Sequence, residues 1–275
     1  MSVFSAAITA MESAGSCFHP PMPFQTYLAE AGITAADTAR YISVQSLTDL
    51  NPDLRAAGIM VLRLGILPST RHTQFALAKA LSGWSDYFFQ DQDLFAHVAP
   101  KQFCSLSDSE TLRAFSLLPK FTETSFVNLA LGSGLLGHAL SLDSASLPSV
   151  PATGQGTYSF NFTPHAKIPS GEWHHSAGQV EIDAVFLGTR SGQQSVFVIE
   201  AKAGPASSLA KHKLAYPVWA LRTTLPASIP VIGVYLRCYR TEDEFHFLVA
   251  ECEITHGAPL SLLSARPLGH YVIEQ

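Results

Sequence analysis

The sequence predicts an α/β protein in which a mixed central sheet is flanked by helices and preceded by a mostly helical N-terminal domain. Three observations carry this. Apolar residues recur at helical spacing through much of the first hundred positions, β-branched and aromatic runs crowd the stretch 158–252, and a helical segment at 206–221 interrupts those runs. The order helix, three strands, helix, two strands is that of an α/β sheet with helices on its faces. A chain of 275 residues with 47% hydrophobic and 14% charged content can bury one large core or two modest ones. Two units are expected, residues 1–105 and 106–275.

In chain order, residues 24–31 form a short amphipathic run closed by Gly32, and 34–42 start a second with Thr34 as N-cap. The pair has a helix-turn-helix outline, which many folds without a DNA role share. Residues 57–64 are apolar and strand-like or buried, whereas 74–81 have helical periodicity. From 107 to 142 the spacing is again helical, with Ser107 or Asp108 as cap and Pro119 dividing two helices. Residues 142–157, rich in Ser, Pro and Gly, read as a loop. Strands are expected at 158–162, on both sides of a polar turn at 189–194, at 231–238 and at 245–252. The helix at 206–221 has Pro205 near its first turn.

A net charge of −5 with a pI near 6.1 argues against a protein that coats nucleic acid through a broad basic surface. Cations can still be confined to one groove, and Lys202, Lys211, Lys213, Arg222, Arg237 and Arg240 gather in the C-terminal third. Cys17, Cys104, Cys238 and Cys252 show no C-x-x-C spacing, so they read as reduced, mostly buried thiols. No apolar run approaches the roughly 18 residues needed to cross a bilayer, and the first residues lack the basic start of a signal peptide. A cytoplasmic protein with no membrane partner is expected.

The stretch 179–203, QVEIDAVFLGTRSGQQSVFVIEAKA, sets Glu181, Asp183, Glu200 and Lys202 inside two apolar strands. Strand alternation puts Glu181 and Asp183 on one face, and Glu200 and Lys202 likewise. A hairpin with its loop at 189–194 sets Asp183 opposite Glu200 and Glu181 opposite Lys202, so that all four converge. Neighbouring carboxylates in an apolar setting repel each other and lose hydration, a conflict that a hard divalent cation resolves. Such a cation ionises a water and offsets charge on a phosphate, while an ammonium beside it stabilises the transition state.

These residues resemble the PD-(D/E)XK nuclease superfamily, whose signature is D-x(n)-E-x-K at the end of a hydrophobic strand in an αβββαβ order. The resemblance covers roughly residues 107–252. It implies a restriction-endonuclease-like core with Asp183, Glu200 and Lys202 as catalytic residues, and Asp183 and Glu200 as ligands of Mg²⁺, which Mn²⁺ can replace. Ile182 stands where the signature proline would be. A glutamate on the first core helix assists in some members, and Glu123 matches it here; Glu181 is a further candidate. Some members carry further polar residues on the helix after the lysine, and Lys211, Lys213 and Tyr216 here either lie near a phosphate path or form a solvated helix face.

His174 and His175, with Glu172 nearby, lie in a predicted loop without a third ligand at metal spacing, so they read as loop residues near the site entrance and candidate DNA contacts. The glycines of GSGLLG at 132–137 lack the Lys-Ser/Thr of a phosphate loop and are better explained by close helix packing. The expected activity is Mg²⁺-dependent hydrolysis of duplex DNA by water, as in a type II restriction enzyme, by a homodimer whose N-terminal unit reads sequence. The alternatives are a structure-specific nuclease, such as a junction resolvase or repair enzyme, and a non-catalytic DNA-binding protein that retains the fold.

Overall fold

Strands occupy more of the chain than its spelling suggests. The structure is a computed structural model that describes residues 3–34, 38–107, 113–115, 117–143, 151–204, 207–255 and 257–274. Its strands are β1 (Phe18–Pro23), β2 (Ile59–Ile66), β3 (Thr73–Lys79), β4 (Phe88–Gln90), β5 (Pro100–Gln102), β6 (Ala152–Phe162), β7 (Trp173–Arg190), β8 (Gln193–Ala203), β9 (Ser208–Ala210), β10 (Val231–Arg240), β11 (Glu244–Glu253) and β12 (Ser264–Glu274). Ten form one mixed sheet in the order β1-β3-β2-β7-β8-β10-β11-β12-β5, with β6 also pairing β7; β4 and β9 pair separately.

The centre is built as expected of a mixed α/β sheet. β7 and β8 form an antiparallel hairpin, and β8 runs parallel to β10 through the crossover helix Lys211–Arg222. Arg190 pairs with Gln193, leaving Ser191 and Gly192 alone in the turn, so the loop is shorter than 189–194. Both turn residues have positive φ, 53° and 77°, as a two-residue hairpin turn with the right twist requires. The Asp143 carboxylate accepts from both of their N–H groups, at 3.0 and 2.9 Å.

Two helices cover opposite faces. Helix Glu123–Gly132 starts at Thr122, whose hydroxyl accepts from the Ser125 N–H in a capping box. Its Phe126, Val127 and Leu129 pack with Phe197, Ile199 and Ala201 of β8, while Leu214, Val218 and Trp219 of the crossover helix join Val196 and Val198 on the other side. The helix–three strands–helix–strand order is therefore present. Among the described residues, no helix is long and apolar enough to cross a membrane.

Several local expectations are corrected. Residues 74–81 are not helical but lie largely in β3, where Phe75 to Ala78 are all buried; a strand covered on both faces loses its alternation and imitates helical spacing. The second helix of the N-terminal pair is described at Thr38–Ile42, and residues 35–37, on which a Thr34 cap would act, lie outside the described residues. The Ser107 hydroxyl donates to the Gly132 carbonyl at 2.6 Å, and Asp108, like the residues that either cap would bond, lies outside the described residues. Residues 117–121 around Pro119 are non-helical, and the later break falls at Ser133–Gly134, where Leu106 packs against Gly134. Within 142–157 β6 begins at Ala152, and 144–150 lie outside the described residues. β9 precedes the crossover helix, Pro205 and Ala206 being outside the described residues. β12 had no forecast. Cys238 and Cys252 are buried, Cys17 is half-buried and Cys104 exposed.

The first 105 residues are mixed rather than mostly helical, with β1, β2 and β3 in the main sheet. Nor do they pack on a core of their own: Phe4, Phe24 and Phe75 share one apolar cluster with Phe160 and Trp219. The seam is narrow. β2 reaches β7 through a single bridge, Gly65 to Ser176, where Gly65 has φ +83° and a Cβ would run into the Ser176 carbonyl and lie 2.9 Å from the Gly178 Cα. Gly65→Ala is expected to destabilise the protein by roughly 2–4 kcal/mol, combining left-handed strain with overpacking. Gly15→Ala, at φ +60° in open space, should cost only about 1 kcal/mol. Urea denaturation of the two variants checks the difference.

Candidate active site

β7 changes face at Asp183. Its register against β6 shifts between the Ile182–Gly154 and Val185–Ala152 pairs. Val180 and Ile182 pack into one apolar cluster, and Ala184 and Phe186 into the other. A bulge of this kind re-aims a side chain and stops pairing. The β7–β8 ladder accordingly ends at Ala184–Ile199, and Asp183 Oδ2 accepts from the Ala201 N–H at 3.0 Å. Glu181 is thereby parted from the group: its side chain is 57% exposed and lies 3.5 Å from Lys213 Nζ, not opposite Lys202. The fourfold convergence drawn from strict alternation is thus reduced.

Glu200 and Lys202 share a face as expected, and both are buried, 2% and 5% exposed. Lys202 Nζ lies 3.0 Å from Glu200 Oε1. Its second carboxylate neighbour is Glu123 Oε1 at 3.5 Å, which also accepts from the Ala203 N–H at 3.4 Å. The Thr122 cap puts Glu123 in the first turn of its helix, at the end of β8. Burial pushes the Glu200 carboxyl up to about 7; Lys202 opposes that rise and Asp183 adds to it. Burial alone would lower the Lys202 ammonium, but Glu200 and Glu123 outweigh it and hold it above its ordinary value. Lys202 is therefore a cation at neutral pH.

The donor set suits a hard cation. Asp183 and Glu200 offer oxygen only, and Glu200 Oε1, though close to Lys202, is buried without an aligned hydrogen-bond donor. Among the described residues no cluster of three or more His, Cys, Asp or Glu forms a metal cage. A cation here would rely on water and a ligand for the rest of its shell.

The other candidates divide: His175, Glu181, Lys213 and Tyr216 line one cavity, whereas Lys211 and His174 lie away from it. Lys211 is buried, donates to the Ser261 carbonyl at 3.2 Å and sits over the Phe89 ring. Tyr216 is buried among Phe160, Phe162 and Trp219. His174 and His175 lie on β7 rather than in a loop: His174 is exposed and bonded to Asn161 at 2.6 Å, and His175 is buried and stacked on Phe160. Arg222 donates to the Val231 carbonyl, and Arg240 lies over Phe121 and Phe245. The six C-terminal cations therefore form no common face.

Arg237 had no forecast as a site residue. It pairs with Asp91 at 3.0 Å and donates to the carbonyls of Lys202 and Gly204, fixing the end of β8. Two adjoining cavities open beside that end. One, of about 730 Å³, is lined by Lys202, Glu123, Arg40, Ser43 and Gln45; the other, of about 280 Å³, by Ser43, Gln45, Arg63, His175, His212 and Lys213. The N-terminal wall is anchored by the Gln45 carbonyl, which accepts from the Ala210 N–H at 2.8 Å, and by the Leu47 N–H, which donates to Ser208 at 2.9 Å. No linear pattern announces these partners, because they meet only through tertiary contacts.

Breaking the buried pair from one side strands a charge. Lys202→Met should destabilise the protein by about 3 kcal/mol or more, and adding Glu200→Gln should recover most of that in a denaturation series. Burial also holds His212 down to about 3. The unfolded chain binds that proton at higher pH, so stability conferred by the neutral ring is full above about 6.5 and is lost as pH falls toward 3. Between pH 6 and 4, wild type should lose stability faster than His212→Gln, by up to about 1.4 kcal/mol per pH unit.

A family model described as Domain of unknown function (DUF6997) matches residues 89–256. The match takes in Glu123, Asp183, Glu200, Lys202 and Arg237, and leaves out β1, β2 and β3. No curated protein and no solved structure matches the chain. The chain belongs to the family of the Domain of unknown function (DUF6997).

Proposed function

We propose that this protein is a divalent-cation-dependent phosphodiesterase acting on DNA, cutting duplex at a defined sequence as a homodimer in the manner of a type II restriction enzyme. The observation that carries the reading is the end of β8: Asp183 capping the Ala201 N–H next to a buried Glu200–Lys202 pair. An exposed Glu-x-Lys would be an ordinary surface ion pair of little consequence. A buried one, with a further carboxylate and a cavity beside it, has the features of a reaction centre.

Asp183 and Glu200 would hold Mg²⁺, or Mn²⁺ in its place. When bound, the cation supplies a more acidic water and offsets negative charge on the phosphate. Asp183 is oriented for this by the Ala201 N–H. Lys202, kept protonated by Glu200 and Glu123, donates to a non-bridging phosphate oxygen and favours the charge that builds up there. Glu123 positions Lys202 by drawing its ammonium toward the cavity. Water is the nucleophile, and cleavage of both strands at a two-fold site calls for two such centres, hence the homodimer. A cytoplasmic setting accords with this reading.

The test is plasmid cleavage by purified protein with Mg²⁺, with Mn²⁺ and with chelator. Discrete fragments with either metal, and none with chelator, are expected. Asp183→Asn, Glu200→Gln and Lys202→Met should each lower the cleavage rate roughly 100-fold or more. His174→Ala, on the exposed side of β7, should change it little. Cutting confined to branched DNA would make the protein a structure-specific nuclease, and binding without cutting would make it a non-catalytic DNA-binding protein.

A further inference from the structure

The cavity of about 280 Å³ has no role in the chemistry above. Its walls come from β2 with Arg63, from the segment carrying Ser43 and Gln45, and from β7 and the crossover helix with His175, Glu181, His212 and Lys213. Ser43 and Gln45 also line the cavity that holds Lys202, so the two spaces are neighbours.

The charges around it do not balance. Lys213 is matched by Glu181 at 3.5 Å. Burial holds His175 down to about 4 and His212 down to about 3, so both rings are neutral at neutral pH. Arg63 is left over: it is half-buried, and its guanidinium has no hydrogen-bond or ion-pair partner among the described residues, although its own carbonyl accepts from the Tyr216 hydroxyl at 3.4 Å. A partly desolvated guanidinium with an open fork of donors calls for an oxyanion.

We infer that this cavity is an anion subsite that takes a phosphoryl group, with Arg63 as its charged donor and Lys213, Gln45 and Ser43 as its polar surround. One uncompensated positive charge suits the single negative charge of a phosphodiester. That the group is a phosphate neighbouring the scissile one on the same strand rests on the phosphodiesterase reading; the anion chemistry of Arg63 does not. Arg63, Ser43 and Gln45 lie outside the 89–256 family match, so this subsite belongs to the N-terminal part of the chain.

The test uses the full chain in chelator, where no cleavage interferes. Inorganic phosphate, a short DNA oligonucleotide without terminal phosphate and the same oligonucleotide with a 5′-phosphate are titrated against wild type, Arg63→Met and Arg63→Lys. Wild type should bind phosphate and rise in Tm with it, and Arg63→Met should bind at least about tenfold more weakly, with Arg63→Lys between them. Tighter binding of the 5′-phosphorylated strand would assign the subsite to a strand end, and equal binding of both strands to an internal phosphodiester. Either supports the inference. Equal phosphate affinity in wild type and Arg63→Met overturns it. Should Arg63→Met fold poorly, the imidazole resonances of His175 and His212 in wild type give the answer: no shift on adding phosphate overturns it equally. Arg63-dependent phosphate binding by a protein that cuts no DNA with Mg²⁺ would sink the nuclease reading and leave the subsite standing.

Discussion

A buried carboxylate and ammonium at the end of the central strand are the constraint around which this molecule is arranged. Glu200 and Lys202 lie on β8, with strands on both sides and helices over both faces, where removal from water costs several kcal/mol per ion. Their mutual attraction offsets only part of that. The remainder falls to neighbours: Glu123 beside the ammonium, Asp183 close enough to raise the Glu200 carboxyl, and Arg237 on the Lys202 carbonyl. A well-packed apolar pair would serve stability as well or better. Of the pair, Lys202 together with Glu123 lines the larger cavity.

The surrounding sheet is shaped to bring those neighbours in. β7 pairs with β8 as far as Ala184, then gives up the ladder at Asp183 so that a side-chain oxygen takes the Ala201 N–H. The same irregularity sends Glu181 outward to Lys213. On the far side, Arg237 of β10 reaches across to β8 and is itself held by Asp91 from the start of a short helix. Each partner arrives on a different element, so the strand end is fixed from several directions.

The N-terminal third completes the enclosure. Its strands join the main sheet through a narrow seam at Gly65, and residues 43–47 hang on β9 to form one wall of both cavities. The charged centre thus lies within the family-matched span, while Arg63, Ser43 and Gln45 come from outside it. Both parts of the chain draw on one apolar cluster.

Much of this was legible in the residues. The two apolar strands with their charged insertions, the hairpin register, the helix between the third and fourth strands and the shared face of Glu200 and Lys202 all follow from local periodicity and turn chemistry. Glu123 was legible as a candidate, although its approach to Lys202 was not. What lay beyond local spelling depended on burial and on contacts between distant segments. β3 imitated a helix because both its faces are covered. The bulge at Asp183 broke the parity that placed Glu181 beside Lys202. Lys211 and Tyr216 were drawn into buried positions, and the Arg63 guanidinium lines a cavity with no hydrogen-bond or ion-pair partner among the described residues. A periodicity rule says which side of its own element a residue occupies; only packing decides whether water, a counter-charge or an apolar wall waits there.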